Sequence, residues 1–329
     1  MSSYFGSRSE SRTEILSALG RFGALVVLII VGSIVSEVFL SSRNISNIIT
    51  NASVMIIMGV GQTIAIITNG PDLSAGSIMT ICAVVAAILV KTVGIFFPVA
   101  ILIALALGIF LGFINGYMIA KVGIPSFIST YGLQWAVFGF AYVILRGYVI
   151  YDFPASFRFI GNGYLFSVIP MPIVIMVIVV ITGIFLLNKT TVGRCLFAVG
   201  SNSVSANMSG VDTSKTVFQA FIISGALSAL AGVVLIARIN AVQADIGRNY
   251  LLPVIATVFM GGTSPTGGQG TIIGTVIGAI IITIVQNIMN LLAVPSVWRD
   301  AIIGLLIIVT VLVDIIVKKR ISNIKIATV

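Results

Sequence analysis

From Phe22 to Val317 the chain is a succession of apolar blocks, most of them near the length of one membrane crossing, parted by short polar or glycine-rich breaks. A helix needs roughly 20 apolar residues to cross a bilayer at 1.5 Å rise per residue. Charge is correspondingly scarce. Only 8% of the residues are charged and the mean hydropathy is +1.19, whereas a soluble domain carries roughly 25% charged residues. A chain of this kind cannot cover its own surface with charge. The expected fold is all-α: a polytopic transmembrane helical bundle of about ten spans with two broken-helix segments.

The blocks fall at about 22–40, 48–68, 77–90, 97–120, 125–145, 169–187, 217–237, 251–260, 271–292 and 301–317, the eighth being the shortest. The first is too long for a signal peptide and lacks a small-residue cleavage site, so it reads as a retained span. The expected organisation is a cytosolic arm over 1–20, a transmembrane domain over 21–317 and a cytosolic tail over 318–329. With both termini cytoplasmic, the basic residues divide eleven to seven in favour of the cytoplasmic side, the bias of the positive-inside rule. The polar, aromatic run from Arg146 to Gly163, with Tyr148, Tyr151, Phe153 and Phe157, reads as a membrane–water interface segment, and Trp135 and Trp298 as interface anchors.

Several function classes drop out. The net charge of +9 is spread singly along the chain, so lipid rather than nucleic acid is the expected partner. The chain has no histidine and its two cysteines, Cys82 and Cys195, lie far apart. No metal-ligand spacing results, no catalytic pair presents itself, and no cofactor or enzymatic activity is expected.

One stretch is unlike the rest. The connection over 188–216 carries Lys189, Arg194, Asp212 and Lys215 among small residues. Asn202 is placed to cap a short helix and Gly210 to close it in the left-handed conformation. That two-turn helix, Ser203 to Ser209, is either a docking element for a partner protein or an ordinary polar connection. Two breaks also resemble each other: 70–78 and 263–272 both interrupt apolar sequence with Gly, Pro and hydroxyl residues. Unwound backbone at membrane depth must be buried by protein or line a cavity. Paired breaks can mark a solute path, here through Asn69, Asp72, Ser74, Gly76, Thr263, Ser264, Gly267 and Gly268, or they are tight helix connections. Asp72 is either a functional intramembrane acid or a cap for the helix that follows. The glycine run over 261–270 is no Walker loop, because the dipeptide Gly-Lys that such a loop needs is absent. The spacings Gly108-x3-Gly112-x3-Gly116 and Gly274-x3-Gly278 suit close helix packing.

Taken together, Asn69-Gly-Pro-Asp-Leu-Ser-Ala-Gly-Ser77, Gly193-Arg194, Ala198-x-Gly200-x-Asn202, Ser209-Gly210, and Gly261-Gly262-Thr263-Ser264 with Gly267-Gly268-x-Gly270-Thr271 resemble the membrane permease subunit of bacterial ABC sugar importers of the ribose, galactose, arabinose and autoinducer-2 class. The resemblance covers about 20–320. Asn69 and Pro71 depart from the family's usual Gly and Ile, and Ser205-Ala206 from its paired alanines. The resemblance implies two permease subunits, identical or not, around a central path in the bacterial inner membrane. It also implies a separate ABC ATPase subunit that holds the ATP, and a soluble sugar-binding protein outside. Carried onto this chain, the ATPase-coupling residues are Gly193, Arg194, Ala198, Gly200, Asn202, Ala206, Ser209 and Gly210. The scarcity of charge along the spans fits a neutral solute such as a monosaccharide. A transporter driven by H⁺ or Na⁺ is the competing expectation, with Asp72 as its one candidate titratable group.

Overall fold

The computed structural model describes residue 20 and residues 22–327, with side chains as far as Leu312 except at Ser296. The expected arm over 1–20 therefore lies, Gly20 apart, outside the described residues. The elements run α1 (Phe22–Val35), α2 (Ser42–Ile67), α3 (Ala75–Ala87, prolonged by a π-helical turn, Ile88–Val93), α4 (Phe97–Ala120), α5 (Ser126–Leu145), β1 (Ile150–Tyr151), α6 (Ala155–Asn162), β2 (Tyr164–Leu165) and β3 (Ile169–Pro170). They continue through α7 (Met171–Lys189), α8 (Thr191–Ser201), α9 (Ser203–Met208), α10 (Thr213–Ile239), β4 (Ala241–Val242), α11 (Arg248–Met260), α12 (Ile272–Leu291) and α13 (Ser296–Ala327). Among the described residues seven helices are long and apolar enough to cross a membrane: α2, α3 with its π turn, α4, α5, α7, α10 and α12. The protein is a polytopic helical membrane protein. The backbone over 318–327, expected as a separate tail, continues α13.

Helices α2 and α10 form the buried centre, with α10 packed against α2, α3, α4 and α6, and α2 against α7, α11 and α12. Association inside lipid depends on close packing rather than on hydrophobic exclusion, which favours small residues at the contact. The α4–α10 seam is built that way. A Cβ on Gly108 would stand 2.5 Å from the Gly225 carbonyl oxygen and 2.6 Å from Ala229, and one on Gly112 would strike the Phe221 carbonyl. Gly278 of α12 abuts the Thr257 carbonyl of α11 in the same manner. The outer helices α4, α5 and α7 keep long apolar rows exposed, among them Leu102, Phe110, Ile128, Phe140, Ile178 and Phe185.

The aromatic side chains of the segment after α5, expected at a membrane–water interface, fall into two groups. Tyr148 and Tyr151 are exposed, but Phe153 and Phe157 are fully buried and meet edge to face at 5.3 Å. Helix α6, which carries Phe157, packs on the end of α10. There Asn162 Nδ2 donates to the carbonyls of Ala237 (3.2 Å) and Arg238 (2.9 Å), the groups a helix C-terminus leaves free. β1 pairs antiparallel with β4, Ile150 opposite Val242. Trp135 likewise is no end anchor. It lies midway along α5 with the Arg248 guanidinium 5.7 Å from its ring centre, a cation–π arrangement.

Because α4 and α10 touch backbone to backbone, Gly112→Leu is expected to destabilise the bundle by about 3 kcal/mol through overpacking. The measurement is thermal unfolding in detergent beside Gly132→Ala, whose new Cβ would meet no atom within 4 Å. Equal unfolding temperatures for the two variants would refute this description of the seam.

Candidate functional site

Thr190 begins the polar connection: its Oγ1 accepts from Gly193 N at 3.2 Å and caps α8. The face of α8 carrying Gly193, Leu196 and Val199 is buried, and Arg194 is exposed. Asn202 ends α8 and caps α9, its Oδ1 accepting from Ser205 N at 3.0 Å. Gly210, at φ +84°, closes α9. Gly210 N bonds to Asn207 O (2.9 Å) and Val211 N to Ala206 O (3.0 Å), the paired bonds that satisfy the last carbonyls of a helix. The helix read from Asn202 and Gly210 is therefore present, and α8 is a further helix that the sequence reading left undivided.

The eight residues expected to couple to an ATPase do not share one surface. Arg194, Asn202, Ser209 and Gly210 are exposed, Ala198 and Gly200 are half-buried, and Gly193 and Ala206 are buried. Ala206 is the face by which α9 rests on the protein. The free face instead presents Val204, 65% exposed, and Met208, 85% exposed. Four residues apart, they lie side by side on one helical face. Sequence reasoning passed over them because it looked for small residues. The available signal was two apolar side chains at i, i+4 in an otherwise polar stretch.

Gly200 packs inward. A Cβ there would strike the Ile67 carbonyl oxygen at the end of α2 and stand 2.7 Å from Gly268 N. Ile67 O itself accepts from Gly268 N at 2.9 Å. Gly267 and Gly268 have φ of +79° and +72°, backbone that glycine adopts without penalty. A Cβ on Gly267 would meet Asn69 N at 2.9 Å, and one on Gly268 the Ser201 Oγ at 2.6 Å. The end of α2, the end of α8 and the connection between α11 and α12 thus meet at one point.

The stretch 68–74 between α2 and α3 is non-helical. Asp72 and Ser74 are both 0% exposed. Asp72 Oδ1 accepts from Ser74 N (3.0 Å) and Ser74 Oγ (2.6 Å), and Oδ2 accepts from Ser224 Oγ of α10 (2.7 Å). Asn115 Nδ2 donates to Ser74 Oγ at 2.7 Å, and Ser129 Oγ to Asn115 Oδ1 at 3.1 Å. With its amide assigned so that both ends are satisfied, Gln62 brackets the Asp72 backbone, its nitrogen donating to Asp72 O (3.2 Å) and its oxygen accepting from Asp72 N (3.1 Å). Of the two readings of Asp72, the geometry is that of a cap. The carboxylate sits over the first N–H groups of α3, where the helix dipole favours negative charge, and is held by Ser224 on the central helix.

Two cavities flank this framework. One, of about 470 Å³, lies beside α9 and includes Asn69, Gly200, Asn202, Thr213 and Thr266 in its walls. The other, of about 540 Å³, lies toward the opposite end. Asn51, in its wall, stands about 24 Å from Ile67 along α2 at 1.5 Å per residue. Its lining is rich in amides, Asn51, Asn249, Gln286, Asn287 and Asn290, with Arg299 and Asp300 beside them. Of the residues expected along a solute path, Asn69 alone borders either cavity. Asp72, Ser74, Thr263 and Ser264 are buried, a Cβ on Gly76 would stand 2.7 Å from the Gly247 carbonyl oxygen, and Gly267 and Gly268 belong to the junction. The amide wall was legible, since Thr283, Gln286, Asn287 and Asn290 recur at i, i+3, i+4 and i+7, one face of α12. Among the described residues no three His, Cys, Asp or Glu side chains gather as a metal site.

If Asp72 caps α3 and ties it to α10, then Asp72→Ala strands the donors of Ser74 and Ser224 and is expected to cost about 2 kcal/mol. Asp72→Ala with Ser224→Ala should cost less than the sum of the two single changes, by about 1 kcal/mol. Unfolding measured over the four-member cycle checks this, and strict additivity would contradict it.

The comparisons with known proteins agree with one another. The family described as branched-chain amino acid transport system / permease component matches residues 44–311. The chain is 38% identical to the ribose import permease protein RbsC of Haemophilus influenzae, over 89% of this chain and 91% of the relative. It is 36% identical to RbsC of Bacillus subtilis, over 91% and 93%. It is also 36% identical to the D-allose transport system permease protein AlsC of Escherichia coli, over 91% and 92%. No solved structure matches the chain at a significant level. With a match that runs through the central helices, both breaks and the α8–α9 connection, the chain belongs to the branched-chain amino acid transport system / permease component family.

Proposed function

We propose that this protein is the permease subunit of an ATP-driven importer that passes a neutral monosaccharide from a soluble binding protein into the cytoplasm. The observation that carries the reading is the free face of α9, where Val204 and Met208 stand exposed on a doubly capped helix. An apolar pair held out on a rigid element fits a partner protein, here the ATPase subunit that binds ATP. Membership of a permease family, and relatives named for ribose and D-allose transport, support the rest. On this reading α1, α11 and α13 complete ten crossings with the seven long apolar helices, and the stretches 68–74 and 261–271 are the breaks within the set. The α9 end faces the cytoplasm, in keeping with Lys189, Arg194 and Lys215 near it in the chain and Lys121 next to Ala120, whose carbonyl accepts from Ser214 Oγ. The exposed rows of α4, α5 and α7 meet lipid and a second permease subunit.

The mechanism follows from the junction. Closure of the ATPase pair displaces α9, and α8 carries the displacement to Ile67 and Gly268, where no side chain intervenes to absorb it. Helix α2 and the connection to α12 then move with α8. Such a step shifts a two-state equilibrium only as far as the partner prefers one state. Asp72 keeps α3 in register with α10 throughout. It borders neither of the two cavities described above and no basic side chain forms an ion pair with it among the described residues, which favours the structural role over proton coupling.

The experiment is uptake of D-ribose and D-allose by the full assembly in proteoliposomes. Uptake is expected to require ATP and to persist when proton and sodium gradients are collapsed. Met208→Asp is expected to lower both uptake and ATPase co-purification to below a tenth, because it sets a charge in an apolar contact. Uptake that dies with the gradients while ATP is present would sink the importer reading.

A further inference from the structure

Helix α11 is short for a crossing, and its shortness has a structural cause. It starts beside the first turn of α3: Gly76 and Gly247 meet backbone to backbone, and Gly247 N donates to Thr80 Oγ1 at 2.9 Å. That depth is well inside the bundle. Ser224, the Asp72 partner one turn of α3 away, lies about 16 Å from the start of α10 at 1.5 Å per residue. The first residues of α11, Asn249 and Tyr250, border the amide-rich cleft, whose other walls come from α2, α12 and the start of α13. Its volume of about 540 Å³ lies within the roughly 300–1,000 Å³ of small-molecule sites.

The polar groups of the cleft divide into two sets. One set holds the walls. Asn44 and Asn287 exchange amide hydrogen bonds at 3.0 and 2.8 Å, Asn51 Oδ1 accepts from Arg238 Nη1 at 2.6 Å, and Asn290 Oδ1 accepts from Arg299 Nη2 at 2.5 Å. The other set is uncommitted. The amides of Gln286 and Asn249 and the carboxylate of Asp300 have no partner among the described residues, and Arg299 Nε is buried without one. Such a division is what a site requires: a framework fixed by its own bonds, and a few free groups in its lining. An amide offers both donors and acceptors, as does each hydroxyl of a sugar. The single cation and single anion of the lining are sequence neighbours, so the cleft carries no net charge to attract an ion.

We propose that this cleft is a subsite for a neutral polyhydroxylated ring, and that Gln286 and Asn249 contact the sugar there as it passes. The inference rests on the importer reading. The two free amides lie on different helices, α12 and α11, so relative movement of these helices takes the grip apart. Release is thereby tied to the same motion that the junction transmits, since the connection carrying Gly268 joins α11 to α12.

The test is ATP-driven uptake of D-ribose and D-allose by the reconstituted assembly. Gln286→Leu and Asn249→Ala are each expected to lower uptake of at least one sugar tenfold or more, and Gln286→Asn to change the ratio between the two sugars. Gel filtration and ATPase co-purification of each variant identify any that fail to fold, and the variants on α11 and α12 are independent of each other. Uptake within twofold of wild type in folded variants on both helices, with an unchanged sugar ratio, makes the cleft a water-filled vestibule only and overturns the inference while the importer reading stands. A wild-type assembly that moves neither sugar overturns the importer reading, and the subsite falls with it.

Discussion

The carbonyl of Ile67 is the contact on which the rest of the arrangement turns. A helix leaves its last carbonyls without intrahelical partners, and at the buried end of α2 those groups must find them elsewhere. Asn69, at φ +62°, turns the chain so that Thr68, Asn69 and Gly70 answer Ala65 and Ile66. Ile67 O is left for Gly268 N, and the bond closes only because Gly200 brings no side chain between them. A single hydrogen bond of this kind is worth about 1 kcal/mol net. Its importance is geometric, because the buried helix α2, the end of α8 that leads into α9, and the second non-helical connection share one point of contact.

The polar interior serves two separate ends. Around Asp72, hydroxyls and amides are used up on one another and on the backbone, so the group fixes where α3 begins and leaves nothing for a solute. In the cleft the reverse holds, with several amides committed to the walls and others free. The first arrangement produces the second. Asp72 and Ser224 set the depth at which α3 starts, Gly76 sets α11 against that first turn, and the space left beyond α11 is the cleft. On the subsite proposal, a buried acid outside the cleft decides where a ligand fits.

What was legible in the sequence was local. The caps of α9 were readable because Asn202 and Gly210 act on their near neighbours, and the glycine spacing of α4 because four-residue periodicity on one helix is visible in one dimension. The burial of Ala206, the inward packing of Gly200 and the burial of Phe153 and Phe157 were not readable, because each depends on a partner far along the chain. Asp72 is the clearest case. Its role as a cap could be guessed from Ser74 two residues on, but its tie to Ser224, 152 residues away, could not. The breaks were legible as candidates for a solute path through their glycines and prolines. The amide stripe of α12 carried a plainer signal, a polar face on a helix whose other faces are apolar.

The most direct test of the account is a distance. Spin labels at Val204 on α9 and Gln269 on the connection before α12, with the native cysteines replaced, would report whether the two elements move as one body. Pulsed electron resonance in the assembled transporter, without nucleotide and with ATP trapped, gives the distance in each state. The account predicts the same distance in both states, while the distance from each label to one on Tyr148 at the far end changes. A Val204–Gln269 distance that changes with nucleotide would contradict it, for then the junction at Ile67 does not carry the movement of α9.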